Sequence, residues 1–181
     1  MLFRSLTYHN ARAQRFKLLA VGLPGYDELQ EGLAVLAEYL AGGLSRARLR
    51  MLAARVVAVG DLVEGATFVD AFRGLTASGF GGQEAFTVVA RVFRGGGLTK
   101  DAIYLRGLVS VLEYLREGGE LELLFVGKIA AHHVPIAREL RSRGVLEPPP
   151  ALPRYLDDDA ARARLQRARG EIGLLELTEG A

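Results

Sequence analysis

Leucine recurs at a helical spacing in this chain, and that spacing is the strongest constraint on its fold. In the run 29–40, leucine occupies positions i, i+4, i+7 and i+11. Four leucines therefore share one face of a helix that is expected over about 27–41. The run 105–115 predicts a second helix of this kind, over about 100–116. Alternating strand patterns are nearly absent, so the sequence predicts an all-α fold.

Glycine and proline divide the rest of the chain into shorter predicted elements. The expected helices cover about 46–77, 83–94, 120–127 and 129–142, and 10–26 is expected to be a loop with a short ordered stretch. The first of these helices is long and contains three glycines, so it can be one helix or two.

The end of the compact region is predicted at a proline-rich segment, Pro148-Pro149-Pro150. Proline cannot continue a helix, and the residues that follow are polar and rich in arginine. We therefore predict one helical domain over 1–156 and a polar C-terminal tail over 157–181.

The chain contains no cysteine and only three histidines, at positions 9, 132 and 133. The lack of cysteine excludes disulfides, thiol catalysis and zinc fingers, and it suits a reducing cytoplasm. The histidines do not have the spacing of a helical His-Glu-x-x-His motif. The chain taken alone is therefore not expected to be a zinc hydrolase of that kind.

The charge balance argues against nucleic acid as a partner. The chain has 23 basic and 21 acidic residues, a net charge of +2, which is too small for a nucleic-acid interface. No apolar run approaches the roughly 18 residues that a transmembrane helix requires, and the N-terminus lacks the apolar region of a signal peptide. We expect a cytoplasmic protein without a membrane or nucleic-acid partner.

Three glutamates, Glu28, Glu31 and Glu38, share a face of the helix at 27–41 that lies opposite the leucines. The pattern has two interpretations. It is typical of a solvated acidic face, and it also suits a carboxylate that acts as a metal ligand or a general base.

A glycine loop at 95–97 precedes the second leucine helix and is flanked by Arg91, Arg94 and Lys100. Unpaired N–H groups at a helix start and nearby cations can together bind an anion. An ordinary capped helix start is the alternative interpretation. Tyr104 lies one turn into this helix, where it either packs or points its phenol at the same anion.

Two further groups of polar residues have simpler interpretations. His132 and His133 would point about 100° apart on a helix, so they do not easily chelate one ion. Four basic residues form a cluster without interleaved aromatic residues, which is typical of a solvated face. They are Arg46, Arg48, Arg50 and Arg55.

One string is more specific than these patterns. Gln30-Glu31-Gly32-Leu33-Ala34 resembles the signature of the flavohemoglobin expression-modulating QEGLA motif proteins. That family is similar to the microtubule-associated tyrosine carboxypeptidases, which are zinc metallopeptidases. The run 91–105 resembles its second block, and 125–129 and 148–153 resemble its C-terminal part. The resemblance covers about 1–156.

The resemblance implies a metallocarboxypeptidase in which a His-Glu-x-x-x-His helix supplies two zinc ligands and a catalytic glutamate. It implies Glu31 as the third zinc ligand. The substrate would be the C-terminus of a peptide or protein, and Tyr104 is the candidate catalytic residue that hydrogen-bonds the developing oxyanion. The candidate residues for the substrate's terminal carboxylate are Arg91, Arg94, Thr99 and Lys100.

This sequence departs from the family pattern because it contains no His-Glu-x-x-x-His string. Asn10 and Gln14 match the asparagine and glutamine that follow that string, which places its second histidine near Arg4. We therefore expect the helical C-terminal half of a zincin-like domain, from a truncated gene, a miscalled start or a degenerate paralogue, and inactive alone. The alternative is a non-catalytic regulatory or scaffold protein, with possible self-association through an exposed apolar face.

Overall fold

The structure is a computed structural model that describes residues 2–95 and 98–178, without the side chains of residues 2–4, 98 and 99. Across these residues the chain forms α-helices and short 3-10 turns, and no strand, which confirms the predicted all-α fold. The α-helices are α1 (Leu2–Ala13), α2 (Leu18–Val21), α3 (Tyr26–Leu40), α4 (Arg46–Val63), α5 (Phe68–Ala77), α6 (Gly82–Phe93), α7 (Leu98–Arg116), α8 (Val134–Ser142) and α9 (Asp159–Ala168).

The chain divides into two compact units. The larger unit combines Met1–Leu44 with Arg106–Ala181, and the smaller unit is Ser45–Leu105. None of the helices in the described part of the chain has the length and hydropathy that a membrane span requires.

The core of the larger unit includes the predicted leucine face of α3 and the part of the α7 leucine face that follows Leu105. Leu29, Leu33, Leu36 and Leu40 of α3 are all at most 3% exposed, which confirms the predicted stripe. In α7, three of the four predicted inner leucines are fully buried and Leu105 is half-buried. Burial of such side chains contributes roughly 1.5–3 kcal/mol each, so these faces supply much of the unit's stability.

The core of the smaller unit is built from small and β-branched side chains on α4, α5 and α6. Val88 and Val89 of α6 are 1% and 0% exposed. Their β-branching lowers helix propensity, but burial in the core outweighs that cost. Around them pack the partly buried rings of Phe68, Phe72 and Phe93.

Several helices begin or end at residues other than those predicted, because of capping residues and left-handed glycines in the turns. The region 46–77 is two helices, because Gly65 adopts a left-handed φ of 86° and Thr67 caps α5 through a reciprocal hydrogen-bond pair with Asp70. The expectation of a loop over 10–26 is wrong in part, since α1 continues to Ala13 and α2 covers Leu18–Val21.

Residues beyond the predicted boundary at 156 form helix α9, which Asp158 caps by accepting a hydrogen bond from the Ala161 N–H. Ala161 and Ala168 are buried. Arg164 of this helix donates a 3.0 Å hydrogen bond to the Leu40 carbonyl of α3. The described part of 157–181 therefore packs within the larger unit, while the domain limit at 156 stays a prediction.

Candidate functional site

Helix α3 carries the predicted metal ligand, Glu31. The helix begins after Gly25, whose φ of 80° lies in the left-handed region, and two acidic residues in its first turn suit the positive end of the helix dipole. Glu31 itself is half-buried. Its neighbour Glu28 is engaged elsewhere, because its Oε2 accepts a 2.6 Å hydrogen bond from Nε of Arg106.

Gln30, directly before Glu31, is a buried polar residue that the leucine pattern does not predict. It is 2% exposed, and its Oε1 accepts a 2.9 Å hydrogen bond from the Thr7 hydroxyl of α1. Its Nε2 is buried and has no partner. The hydrogen bond fixes the face of α3 that packs on α1.

Gly32 is explained by packing. A Cβ at Gly32 would lie 2.8 Å from Cα of Gly107 on α7, and a Cβ at Gly107 would lie 2.9 Å from the Gly32 nitrogen. Real Cβ atoms do not pack at such distances, so only glycine at both positions allows α3 and α7 to cross this closely.

Asn10 of α1 and Gln14, the residue directly after that helix, tie the proline-rich segment to the rest of the larger unit. Nδ2 of Asn10 donates to the carbonyls of Phe125 and Ala151, at 2.8 and 2.9 Å, and its Oδ1 accepts from the Ala151 N–H. Gln14 makes the same reciprocal pair with the backbone of Glu147, at 3.0 Å in both directions. Both residues are essentially fully buried, so they act here as a structural clamp.

The predicted anion-binding cations belong to the smaller unit and differ in their surroundings. Nε of Arg91 donates to Oδ1 of Asp101 at 2.6 Å, and this hydrogen bond raises the pKa of Arg91. Arg94 is the exposed C-cap residue of α6, and Lys100 is exposed. Tyr104 is half-buried on α7, and the side chain of Thr99 lies outside the described residues.

Arg55 of α4 was predicted only as a member of a solvated basic face, but its surroundings are partly buried. Its guanidinium carbon lies 6.0 Å from the ring centre of Tyr104, and its Nε is buried without a partner. Burial lowers the pKa of Arg55, and the positive charges of Arg91 and Arg48 lower it further, against the opposing effect of Asp101. The prediction that the four arginines form a solvated face is therefore correct only in part. Arg48 and Arg55 are seven residues apart, a spacing that places them on one face of a helix, and this signal was present in the sequence.

A cavity of about 250 Å³ lies in the larger unit, next to the start of α3. Glu28, Ser110 and His132 contribute its polar lining. The rings of His132 and His133 are 4.0 Å apart between centres, but Nδ1 of His133 accepts a hydrogen bond from the Ala130 N–H at 3.1 Å. The Nδ1 atom of His133 is therefore occupied by a hydrogen bond that stabilises the local backbone.

The described residues do not by themselves fit a zinc ion. No three histidine, cysteine, aspartate or glutamate side chains among them come together in a way that could hold a metal. Glu31 belongs to the larger unit and the other predicted site residues to the smaller one. The roles of Glu31, Arg91, Arg94, Thr99, Lys100 and Tyr104 stay predictions.

These features define a protein that is helical over its described residues, with a half-buried glutamate on helix α3 of its larger unit and several arginines in its smaller unit. A family model described as microtubule-associated tyrosine carboxypeptidase matches residues 2–171. The chain therefore belongs to that family, in agreement with the resemblance seen in the sequence. Neither curated proteins nor solved structures give a significant match.

Proposed function

We propose that this chain is the helical, substrate-binding part of a metallocarboxypeptidase that removes a C-terminal residue from a peptide or protein. The observation that carries the proposal is the family match over residues 2–171. The family's description names a tyrosine carboxypeptidase, so tyrosine is the residue whose release is to be tested.

Glu31 is proposed as the one zinc ligand that this chain contributes. The two histidine ligands and the catalytic glutamate would then come from outside these 181 residues, because no His-Glu pair occurs in them. The 181-residue chain is accordingly proposed to be a C-terminal portion without peptidase activity of its own.

The substrate's terminal carboxylate is proposed to bind near the start of α7. Guanidinium and ammonium groups recognise carboxylates through charge-assisted hydrogen bonds. The side chain of Arg91 is 39% exposed, and Arg94 and Lys100 are exposed, which leaves these cations within reach of a ligand. Tyr104, half-buried beside them, is proposed to donate a hydrogen bond to the developing oxyanion. The proposed carboxylate-binding residues are Arg91, Arg94, Thr99 and Lys100.

The test compares this chain with a version extended by the coding sequence that precedes Met1. We expect a His-Glu-x-x-x-His string upstream. The extended protein should bind one zinc per chain by elemental analysis and release tyrosine from a peptide ending in tyrosine, whereas the 181-residue chain should do neither. In the extended protein, Glu31→Gln should reduce the zinc content, and Glu38→Gln on the same helix should not.

Two results would contradict this proposal. Stoichiometric zinc or tyrosine release by the 181-residue chain would show that it is not an inactive portion. The lack of any such string in the three upstream frames would remove the proposed source of the missing ligands.

A second candidate function is a non-catalytic scaffold that associates through an apolar surface. The observation that favours it is an apolar groove of about 240 Å³ between α2 and α8. Phe16, Leu18 and Ile136 line this groove and are 45%, 64% and 59% exposed. Large apolar side chains grouped around one groove are typical of an interaction surface.

Sedimentation velocity of the purified chain tests this second candidate. A dimer that Leu18→Glu dissociates, and that Val63→Glu does not, would support self-association through the groove. Val63 is a suitable control because it is 70% exposed and lies away from the groove lining. A chain that stays monomeric at high concentration would exclude self-association.

A further inference from the structure

We propose that Lys128, held between the rings of Tyr8 and Tyr26, forms a binding site for an anionic ligand group, a carboxylate or a phosphate. Tyr8 lies on α1, Tyr26 begins α3, and Lys128 lies in the segment before α8. All three residues belong to the larger unit. The site therefore shares no residue with the carboxylate contacts proposed for the smaller unit.

The first argument is the fixed backbone of Lys128. Its N–H donates to the Leu19 carbonyl at 2.8 Å, and its carbonyl accepts from the Leu23 N–H at 3.0 Å. The preceding residue, Gly127, allows this close approach to α2, because a Cβ there would lie 2.7 Å from Cβ of Leu19. The side chain of Lys128 therefore extends from a backbone that is hydrogen-bonded on both sides.

The second argument is the position of the ammonium group between two rings. Nζ of Lys128 lies 5.4 Å from the ring centre of Tyr8 and 5.6 Å from that of Tyr26, and both distances are within the range of a cation–π contact. The ring of Tyr26 lies directly against Gly22, where a Cβ would be 2.7 Å from Cε1 of the ring. Two rings around one ammonium group restrict its position and displace water from it.

The third argument is the lack of an acidic partner. An ammonium group has three N–H donors, but within the part of the chain that the structure describes, Nζ of Lys128 takes part in no ion pair and no hydrogen bond. Lys17 of the same unit differs, because its Nζ donates to the carbonyls of Arg12 and Gln14. The donors of Lys128 are therefore available to a ligand.

These three features together favour an anion. Lys128 is half-buried, and a charge that is partly covered by apolar rings attracts an opposite charge more strongly than it would in bulk water. Carboxylates and phosphates accept charge-assisted hydrogen bonds from an ammonium group. Tyr8 is 47% exposed, so a ligand can reach the site and place its organic part against this ring.

Two-dimensional NMR of the full chain measures binding at this site directly. The backbone amides of Tyr8, Tyr26 and Lys128 are followed during titration with inorganic phosphate, N-acetyl-tyrosine or N-acetyl-tyrosinamide at low ionic strength. We expect saturable shifts of these amides with phosphate or N-acetyl-tyrosine and none with the uncharged amide. Tighter binding of N-acetyl-tyrosine identifies a carboxylate ligand, and tighter binding of phosphate identifies a phosphate-bearing ligand.

Variants then assign the binding to Lys128. Lys128→Gln should weaken binding at least tenfold, while the matched control Lys17→Gln should leave the affinity unchanged. Lys128→Arg keeps the charge, so it should bind more tightly than Lys128→Gln. Tyr8→Leu removes one ring from an exposed position and should weaken binding about two- to fivefold, the value of one cation–π contact. It serves as the test if Lys128→Gln fails to fold.

The lack of saturable shifts with both anions would overturn the proposal, as would equal affinities in the original chain and in the folded Lys128 and Tyr8 variants. The amide signals report on this site alone, and the titrations require neither zinc nor peptide cleavage. A failure to release tyrosine therefore leaves this proposal intact, and a failure to bind anions here leaves the peptidase proposal to its own test.

Discussion

Replacing Gly32 with alanine should strongly destabilise the larger unit, because α3 and α7 meet backbone to backbone at this residue. The new Cβ would lie 2.8 Å from Cα of Gly107 and closer still to its carbonyl group. Carbon atoms pack at about 3.5–4.0 Å, so the helices would have to separate by more than about 1 Å. Overpacking costs about 1–3 kcal/mol, and the upper value applies here because backbone cannot rotate away.

A loss of about 3 kcal/mol lowers the folding equilibrium constant roughly 140-fold. For a chain of this size it lowers the melting temperature by about 6–12 °C. Urea unfolding followed by far-ultraviolet circular dichroism measures the midpoint and therefore the free energy of unfolding.

Two glycines serve as controls for the Gly32→Ala variant. At Gly43, in the same unit, a Cβ would meet only the Glu38 carbonyl oxygen, at 3.5 Å, so Gly43→Ala should change stability by less than about 0.5 kcal/mol. At Gly60, inside α4, a Cβ meets nothing within 4 Å, and Gly60→Ala should stabilise by about 0.5–1 kcal/mol. If Gly32→Ala unfolds at the same urea concentration as Gly43→Ala, the packing argument is wrong.

Two further predictions concern buried polar contacts. Asn10→Ala removes three hydrogen bonds that join α1 to Phe125 and Ala151, and it should lower the free energy of unfolding by about 2–4 kcal/mol. The control is His9→Ala, which should have little effect because His9 is exposed. Equal urea midpoints for the two variants would refute the structural role of Asn10. Burial, and then the charge of His132, lowers the pKa of His133 below 6.5, so its contribution to stability is complete above pH 6.5 and declines as the pH falls toward its folded pKa. Urea midpoints between pH 7.5 and 5.5 should therefore decrease, and they should decrease less in His133→Gln; identical pH profiles would contradict this.

The helices were predictable wherever the apolar spacing was regular. The leucine run at 29–40 predicted α3 to within one residue at each end, since α3 covers Tyr26–Leu40. The same approach misplaced the stretch after residue 9, because α1 buries the polar residues Thr7 and Asn10, and Gln14 directly after it is buried as well. A helix whose buried face is polar gives no apolar period to detect.

The candidate site was less predictable because its contacts join distant positions. Glu31 and Arg91 were found through sequence resemblance and local charge, but Arg55 was grouped with exposed arginines of α4. Its surroundings include the ring of Tyr104 on α7 and the charge of Arg91 on α6. Long-range neighbours of this kind do not appear in the spacing of residues along a single helix.

The discontinuous larger unit sets an order of events during synthesis. Asn10 leaves the ribosome early, but its backbone partner Ala151 is 141 residues away. At roughly 5–20 residues per second, the residues from Ser45 to Ala151 take about 5–20 s to translate. The smaller unit, Ser45–Leu105, is contiguous, so all of its residues are synthesised before Ala151 is added. During this time α1 and α3 can pack on each other but lack the partners that residues 106–151 supply, so this is the interval in which the nascent chain most needs protection from aggregation.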